Sequence, residues 1–256
     1  MMSNTVAEPE VKATSSSIDQ KQAKFHMQCE YKGPQTLNVT LIGITGTLPS
    51  YGKYYVACYQ GDEIGTKPKF FKMIEGDSTQ SWTIDFADLN MDKFSYTIAL
   101  GLGGSLNEGN LSTNGQYFPV SVNIPLDPER QSGKTYSSDP SSETSVLLTN
   151  QASNSLSLSC NVPNGNAIGP FPQFVVLKNG AISNWFYQND PKDMLATVKI
   201  QDIQNVSIPL SNQNPLRIGN TYSIAYIMGY GTEYDPTDRN TPNLKRLAAW
   251  TEFVAK

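Results

Sequence analysis

One stretch occurs twice, and it limits the possible folds more than any other feature. The first copy is Phe94-Ser95-Tyr96-Thr97-Ile98-Ala99-Leu100-Gly101-Leu102-Gly103. The second is Asn220-Thr221-Tyr222-Ser223-Ile224-Ala225-Tyr226-Ile227-Met228-Gly229. Tyr, Ile, Ala and Gly recur in register, 126 positions apart (222 − 96). Large apolar residues alternate with small ones in both copies. A period of two places each set on one face of a strand. The small residues imply a second face that is either closely covered or lightly solvated. Each copy is expected to be the central strand of its own sandwich.

The order of elements repeats around these copies. Tyr54–Tyr59 is matched by 173–178, and Trp82–Phe86 by 206–210. The offset grows from 119 (180 − 61) to 124 (208 − 84) to 126, as a duplication with small loop insertions produces. The sequence therefore predicts an all-β chain of two tandem seven-stranded immunoglobulin-like sandwiches. The expected boundaries are a disordered tail at 1–22, a first sandwich at 23–126, a linker at 127–144 and a second sandwich at 145–256. The tail and linker assignments rest on polar composition with no apolar run. Gly103 to Gly115 is expected to be a long polar loop. One helical turn is expected at 190–196. Residues 241–248 also fit a short capped helix, but the repeat decides for a final strand, with room for a helical turn before it.

The approach to the second copy, Leu216-Arg217-Ile218-Gly219-Asn220-Thr221-Tyr222, resembles fibronectin type III domains. There a Leu and a Gly precede a corner Tyr at the sixth strand. The first copy keeps Leu89 and Tyr96 but has Asp92-Lys93 in place of the Gly, and the family's usual early Trp is missing. The resemblance implies an architecture, and architecture does not imply function.

Composition narrows the function classes. The net charge of −4 argues against nucleic-acid binding, which needs clustered Lys and Arg. No window approaches the ~18 apolar residues of a membrane-spanning helix. Residues 1–22 have no apolar core region, so the expected location is cytoplasmic, with release by a route that needs no signal left open. Three sequons, at Asn38, Asn110 and Asn205, are expected to be idle on that account. Cys29, Cys58 and Cys160 are too few and unevenly split for a disulfide scaffold, so reduced thiols are expected.

Catalytic motifs do not assemble. Gly133-Lys134-Thr135 lacks the upstream Gly of a phosphate loop, because Pro128 stands there. Gly101-Leu102-Gly103-Gly104-Ser105-Leu106 has Leu106 where a dinucleotide fingerprint has its third Gly. His26 is the sole histidine. His26 and Cys29 fall on opposite faces of a strand and cannot share a metal. No catalytic residue, metal site or cofactor is therefore expected. Trp82, Trp185 and Trp250 lie in expected strands, where packing is favoured over a binding platform.

The richest polar segment is the loop 229–245. Tyr230 and Tyr234 offer flat apolar faces, and Asp235, Asp238 and Arg239 offer directed hydrogen bonds. These five are the candidate ligand-binding residues, set against the plain alternative of a solvated loop with Pro turns. The function expected is non-enzymatic recognition or assembly through loop tips and strand edges, with a protein partner or self-association. The alternative is a carbohydrate-binding protein or toxin subunit that takes a glycan. An enzyme that uses carboxylates alone comes third.

Overall fold

The computed structural model describes residues 18–44, 47, 49–76, 81–107, 110–113, 117–163, 173–178, 194–199, 203, 206–213, 215–228 and 246–256. It is all-β, in two sandwiches. The first is built from β2 (His26–Gly33), β3 (Thr36–Ile42), β4 (Tyr55–Gln60), β5 (Phe70–Met73), β6 (Ser81–Phe86), β7 (Tyr96–Gly101) and β10 (Val120–Ile124). The second is built from β12 (Ser145–Ala152), β13 (Ser155–Asn161), β14 (Gln173–Lys178), β15 (Met194–Lys199), β16 (Val206–Pro209), β17 (Thr221–Ile227) and β18 (Leu247–Val254). In both, the first, second and fifth strands form one sheet and the third, fourth, sixth and seventh form the other. This is a fibronectin type III-like sandwich, made twice. No helix among the described residues is long and apolar enough to cross a membrane.

The repeated stretch sits where its pattern requires. β7 lies between β4 and β10, and β17 between β14 and β18. The pairings match across the duplication. Cys58 opposes Ile98 as Val176 opposes Ile224, and Ala57 opposes Ala99 as Val175 opposes Ala225. Ile98 and Ile224 are fully buried. The small residues of β7 do have a covered face. An added Cβ at Gly101 would lie 2.0 Å from Tyr55 Cζ, because the Tyr55 ring lies flat against that glycine. Tyr55, Ala57, Tyr59, Ala99 and Phe118 form a second small apolar cluster there. The span 103–115 is therefore more than a polar loop. It holds a hairpin, β8 (Gly104–Asn107) and β9 (Asn110–Thr113), and Leu111 packs on that cluster.

Three expectations are corrected. The end of the expected disordered tail, 20–22, is ordered: β1 (Gln20–Lys24) pairs antiparallel with β18, the closing strand of the second sandwich. The span 127–144 is no loose tether. Its β11 (Thr135–Ser137) pairs with β2, and the chain then runs back along β10 through Ser121 N–H to Ser142 O at 3.2 Å and Thr144 N–H to Pro119 O at 2.7 Å. Arg130 lies between Tyr31 and Tyr136, 5.0 and 5.4 Å from their ring centroids, and its Nη2 donates to Pro125 O. Composition missed both segments because their polar side chains are held by hydrogen bonds and ring contacts, without apolar runs. Finally, 194–196 belongs to β15 rather than to a helical turn; Leu247 and Ala248 open β18, the final strand that the repeat predicts.

Candidate binding surfaces at the module junction and the strand edges

The returning span 127–144 turns the second sandwich back towards the end of the first that carries the 103–115 loop. Leu102 N–H donates to Tyr117 O at 3.0 Å and closes the base of that loop. Met228 N–H donates to Arg246 O at 3.0 Å, joining the two residues that flank 229–245. The two pairs touch. Arg246 Nη1 donates to Tyr117 Oη at 3.0 Å, with the guanidinium 4.5 Å from the ring centroid. On its other side, an added Cβ at Gly103 would lie 3.3 Å from Arg246 Nε. Leu102, Tyr117, Met228 and Arg246, which flank 103–116 and 229–245, thus meet at one junction. The five candidate residues Tyr230, Tyr234, Asp235, Asp238 and Arg239 lie outside the described residues, as do Trp185 and the Asn179-Gly180 pair. Trp82 and Trp250 are buried strand residues.

A polar cluster fastens the junction. Glu143 is buried, and its Oε2 accepts from Lys24 Nζ at 2.5 Å. Its Oε1 lies 2.6 Å from His26 Nδ1 and 2.5 Å from Ser138 Oγ. Ser138 also receives Met27 N–H at 2.9 Å. Burial opposes ionisation of Glu143, but hydrogen bonds from Lys24, Ser138 and His26 outweigh it and hold the carboxyl below its ordinary range. Serine, histidine and glutamate together resemble a nucleophile relay in composition only. A relay needs the hydroxyl on one ring nitrogen and the carboxylate on the other. Here both sit on Nδ1, Ser138 Oγ being 3.0 Å away, and Ser138 donates directly to Glu143. The cluster ties β1, β2 and the returning chain together.

The other suspected motifs resolve into structure. Gly133 has φ +91° and donates its N–H to Tyr31 O, and Lys134 Nζ pairs with Asp127 Oδ2 at 2.9 Å. This is a turn into β11, with no phosphate cradle. His26 is half-exposed and Cys29 fully buried, on opposite faces of β2. The three cysteines are free. Burial pushes the Cys58 and Cys160 thiols up to about 12, and raises Cys29 as well. Among the described residues, no group of His, Cys, Asp and Glu could hold a metal ion.

The sheet edges divide into two kinds. On one side of each sandwich the chain covers its own edges. β11 adds to β2, 142–144 runs along β10, and β1 adds to β18. The fourth edge, β12, is met by the Gln20 side chain. Its Nε2 donates to Leu148 O and its Oε1 accepts Leu148 N–H, both at 2.9 Å, so one side-chain amide stands in for a backbone partner. On the other side, β5, β6, β15 and β16 end their sheets with no described strand beyond them. Between β5 and β6 runs a groove of about 620 Å³, lined by Phe71, Met73, Trp82, Thr83, Ile84 and Leu106 among others. Sequence reasoning missed Gln20, Lys24, Ser138, Glu143 and Arg246. They are single polar residues in stretches without periodicity, and nothing local distinguishes them.

No protein-family model matches the sequence, and no curated protein does. Among solved structures the chain is similar to a segment of two fibronectin type III domains from chicken tenascin. That match has 11% identity and a TM-score of 0.22, and covers 82% of this chain and 89% of that one.

Proposed function

We propose that this chain is a non-enzymatic recognition or assembly protein that engages a protein partner through its uncovered strand edges. One observation carries the reading. Among the described residues, the chain lays β1, β11, residues 142–144 and the Gln20 amide along β18, β2, β10 and β12, and lays nothing along β5, β6, β15 and β16. Open edges present rows of backbone donors and acceptors, a ready template for another extended segment. The glycan reading rests on Tyr230, Tyr234, Asp235, Asp238 and Arg239, and a glycan array tests it separately.

The edge reading is tested by hydrogen exchange over a concentration series, alongside light scattering. Slower exchange in at least one of β5, β6, β15 and β16 on association is the expected result. Association that leaves all four edges exchanging as in the monomer sinks the reading.

A further inference from the structure

β5, β6, β15 and β16, the edges with no described strand beyond them on that side, differ in how well they are guarded. β5 is only four residues long and carries Lys72. The β14–β15 pairing is broken by a register shift between Val176 and Leu177, and β15 ends at Lys199. β16 ends at Pro209, which has no N–H to offer. Shortness, lysine, bulges and proline are all devices that keep an edge from pairing with another chain. β6 has none of them. It is six residues long, alternates exposed Ser81, Thr83 and Asp85 with buried Trp82, Ile84 and Phe86, and pairs with β3 along its whole length without a shift. Its one charge, Asp85, accepts a hydrogen bond from Asn38 Nδ2 at 2.7 Å. A groove opens beside β6, with β5 on its far side.

The side chains select the occupant. Set β6 antiparallel to a copy of itself, centred on Thr83. Thr83 then faces Thr83, Ser81 faces Asp85, and Trp82 faces Ile84. Every pair lies on one face of the sheet, as the period of two demands. Thr with Thr and Ser with Asp are hydrogen-bonding pairs, Trp with Ile is an apolar pair, and no like charges meet. A two-fold axis through Thr83 uses the same patch on both copies and closes at a dimer. The molecule already completes β2 and β18 with antiparallel strands of its own.

From this matching of charge and face we infer that β6 pairs with β6 of a second copy, joining two β11-β2-β3-β6 sheets edge to edge. The inference rests on the edge reading above and names its partner.

Light scattering on the full chain over a concentration series is the first measurement, with Thr83→Lys as the variant. Thr83 points away from the core, so this change leaves the fold intact, as an unchanged melting curve will confirm. It sets two lysines opposite one another at the two-fold axis. Wild type is expected to dimerise and Thr83→Lys to stay monomeric at the same concentrations. Thr83→Cys should cross-link on mild oxidation, since directly opposed residues lie within disulfide reach. Thr40→Cys, one strand inward on the same face, should not. A dimer that survives Thr83→Lys, with protection at β5, β15 or β16, overturns the β6 pairing and leaves the edge reading standing. A monomer that binds another protein with protection at β6 gives the edge a different occupant and overturns self-pairing alone. A monomer with all four edges unprotected in every condition overturns both.

Discussion

The phenolic oxygen of Tyr222 accepts the backbone N–H of Arg217 at 2.8 Å and closes the corner that leads into β17. Tyr96 does the same for Asn90 N–H at 3.0 Å before β7. A tyrosine at the start of the sixth strand, bonded a few residues back, is the corner of immunoglobulin-like sandwiches. It occurs in both copies, although the first has Asp92-Lys93 where the second has Ile218-Gly219. The hydrogen bond, and not the glycine, is the part that both retain. Tyr96→Phe and Tyr222→Phe should each cost about 1 kcal/mol, the net worth of one hydrogen bond. Urea unfolding measures this, and no change in either midpoint would remove the corner's role.

Gly101 has no room for a side chain. Its added Cβ would lie 2.0 Å from Tyr55 Cζ, and the ring is boxed in edge-on by Phe118 at a centroid distance of 6.5 Å. Gly101→Ala should destabilise the first sandwich by about 1–3 kcal/mol through overpacking. Pairing it with Tyr55→Leu should recover part of that loss. A double variant no more stable than the sum of its singles would show that the ring is not the obstacle.

The core residues at the centre of each repeat predict a symmetrical result. Ile98→Ala and Ile224→Ala each empty a fully buried site and should cost ~2–5 kcal/mol. Thermal unfolding that moves no more than for a surface change would place either residue outside the core.

Acid should loosen the junction. The Glu143 carboxyl is held below its ordinary value of 4.5, and the groups facing it are Lys24, His26 and Ser138. A carboxyl with a lower pKa in the folded state adds stability above its unfolded value and loses it as pH falls through the folded value. The loss therefore begins below about 4.5 and deepens with further acid. Glu143→Gln should lower stability at neutral pH and flatten that acid limb. An acid limb unchanged in Glu143→Gln would assign the loss to other carboxyls.

Removing residues 1–22 should destabilise the second sandwich rather than the first. It deletes Gln20, Lys21 and Gln22 from β1 and uncovers part of the β18 edge. Calorimetry should show the upper or lower transition of the second sandwich shift while the first stays in place. Limited proteolysis of the intact chain should likewise spare 127–144, where β11 and Arg130 are held. Early cutting there would contradict the pairing.

The architecture was legible in the sequence because period-two burial is local. Tyr96, Ile98 and Leu100 announce their face within five residues. The junction was not legible. Gln20 reaches Leu148 and Thr251, and Arg246 reaches Tyr117, across separations of 128, 231 and 129 residues. A single glutamine or arginine carries no periodic signal, so its partner is fixed only when the fold brings it there. The same holds for Glu143, whose burial is made possible by Lys24 and His26 from a distant segment as well as by the nearby Ser138. Residues 229–245 stand out in the sequence through their chemistry, and the structure puts the flanking Arg246 against Tyr117.

The β1–β18 pairing also sets an order of events during synthesis. Gln20 leaves the ribosome well over two hundred residues ahead of its partner Thr251. The first sandwich has all seven of its strands long before then and folds as a unit while the chain is still growing. During that interval β1 is an extended segment without its partner, carried on an already folded body. The second sandwich meets the mirror of this problem, since β18 arrives with its outer edge bare until β1 finds it. Among the described residues the closing contact has the highest sequence separation of any strand pairing, which makes it a late step. A nascent chain stalled before β18 should therefore expose residues 20–24 to protease while the first sandwich already resists.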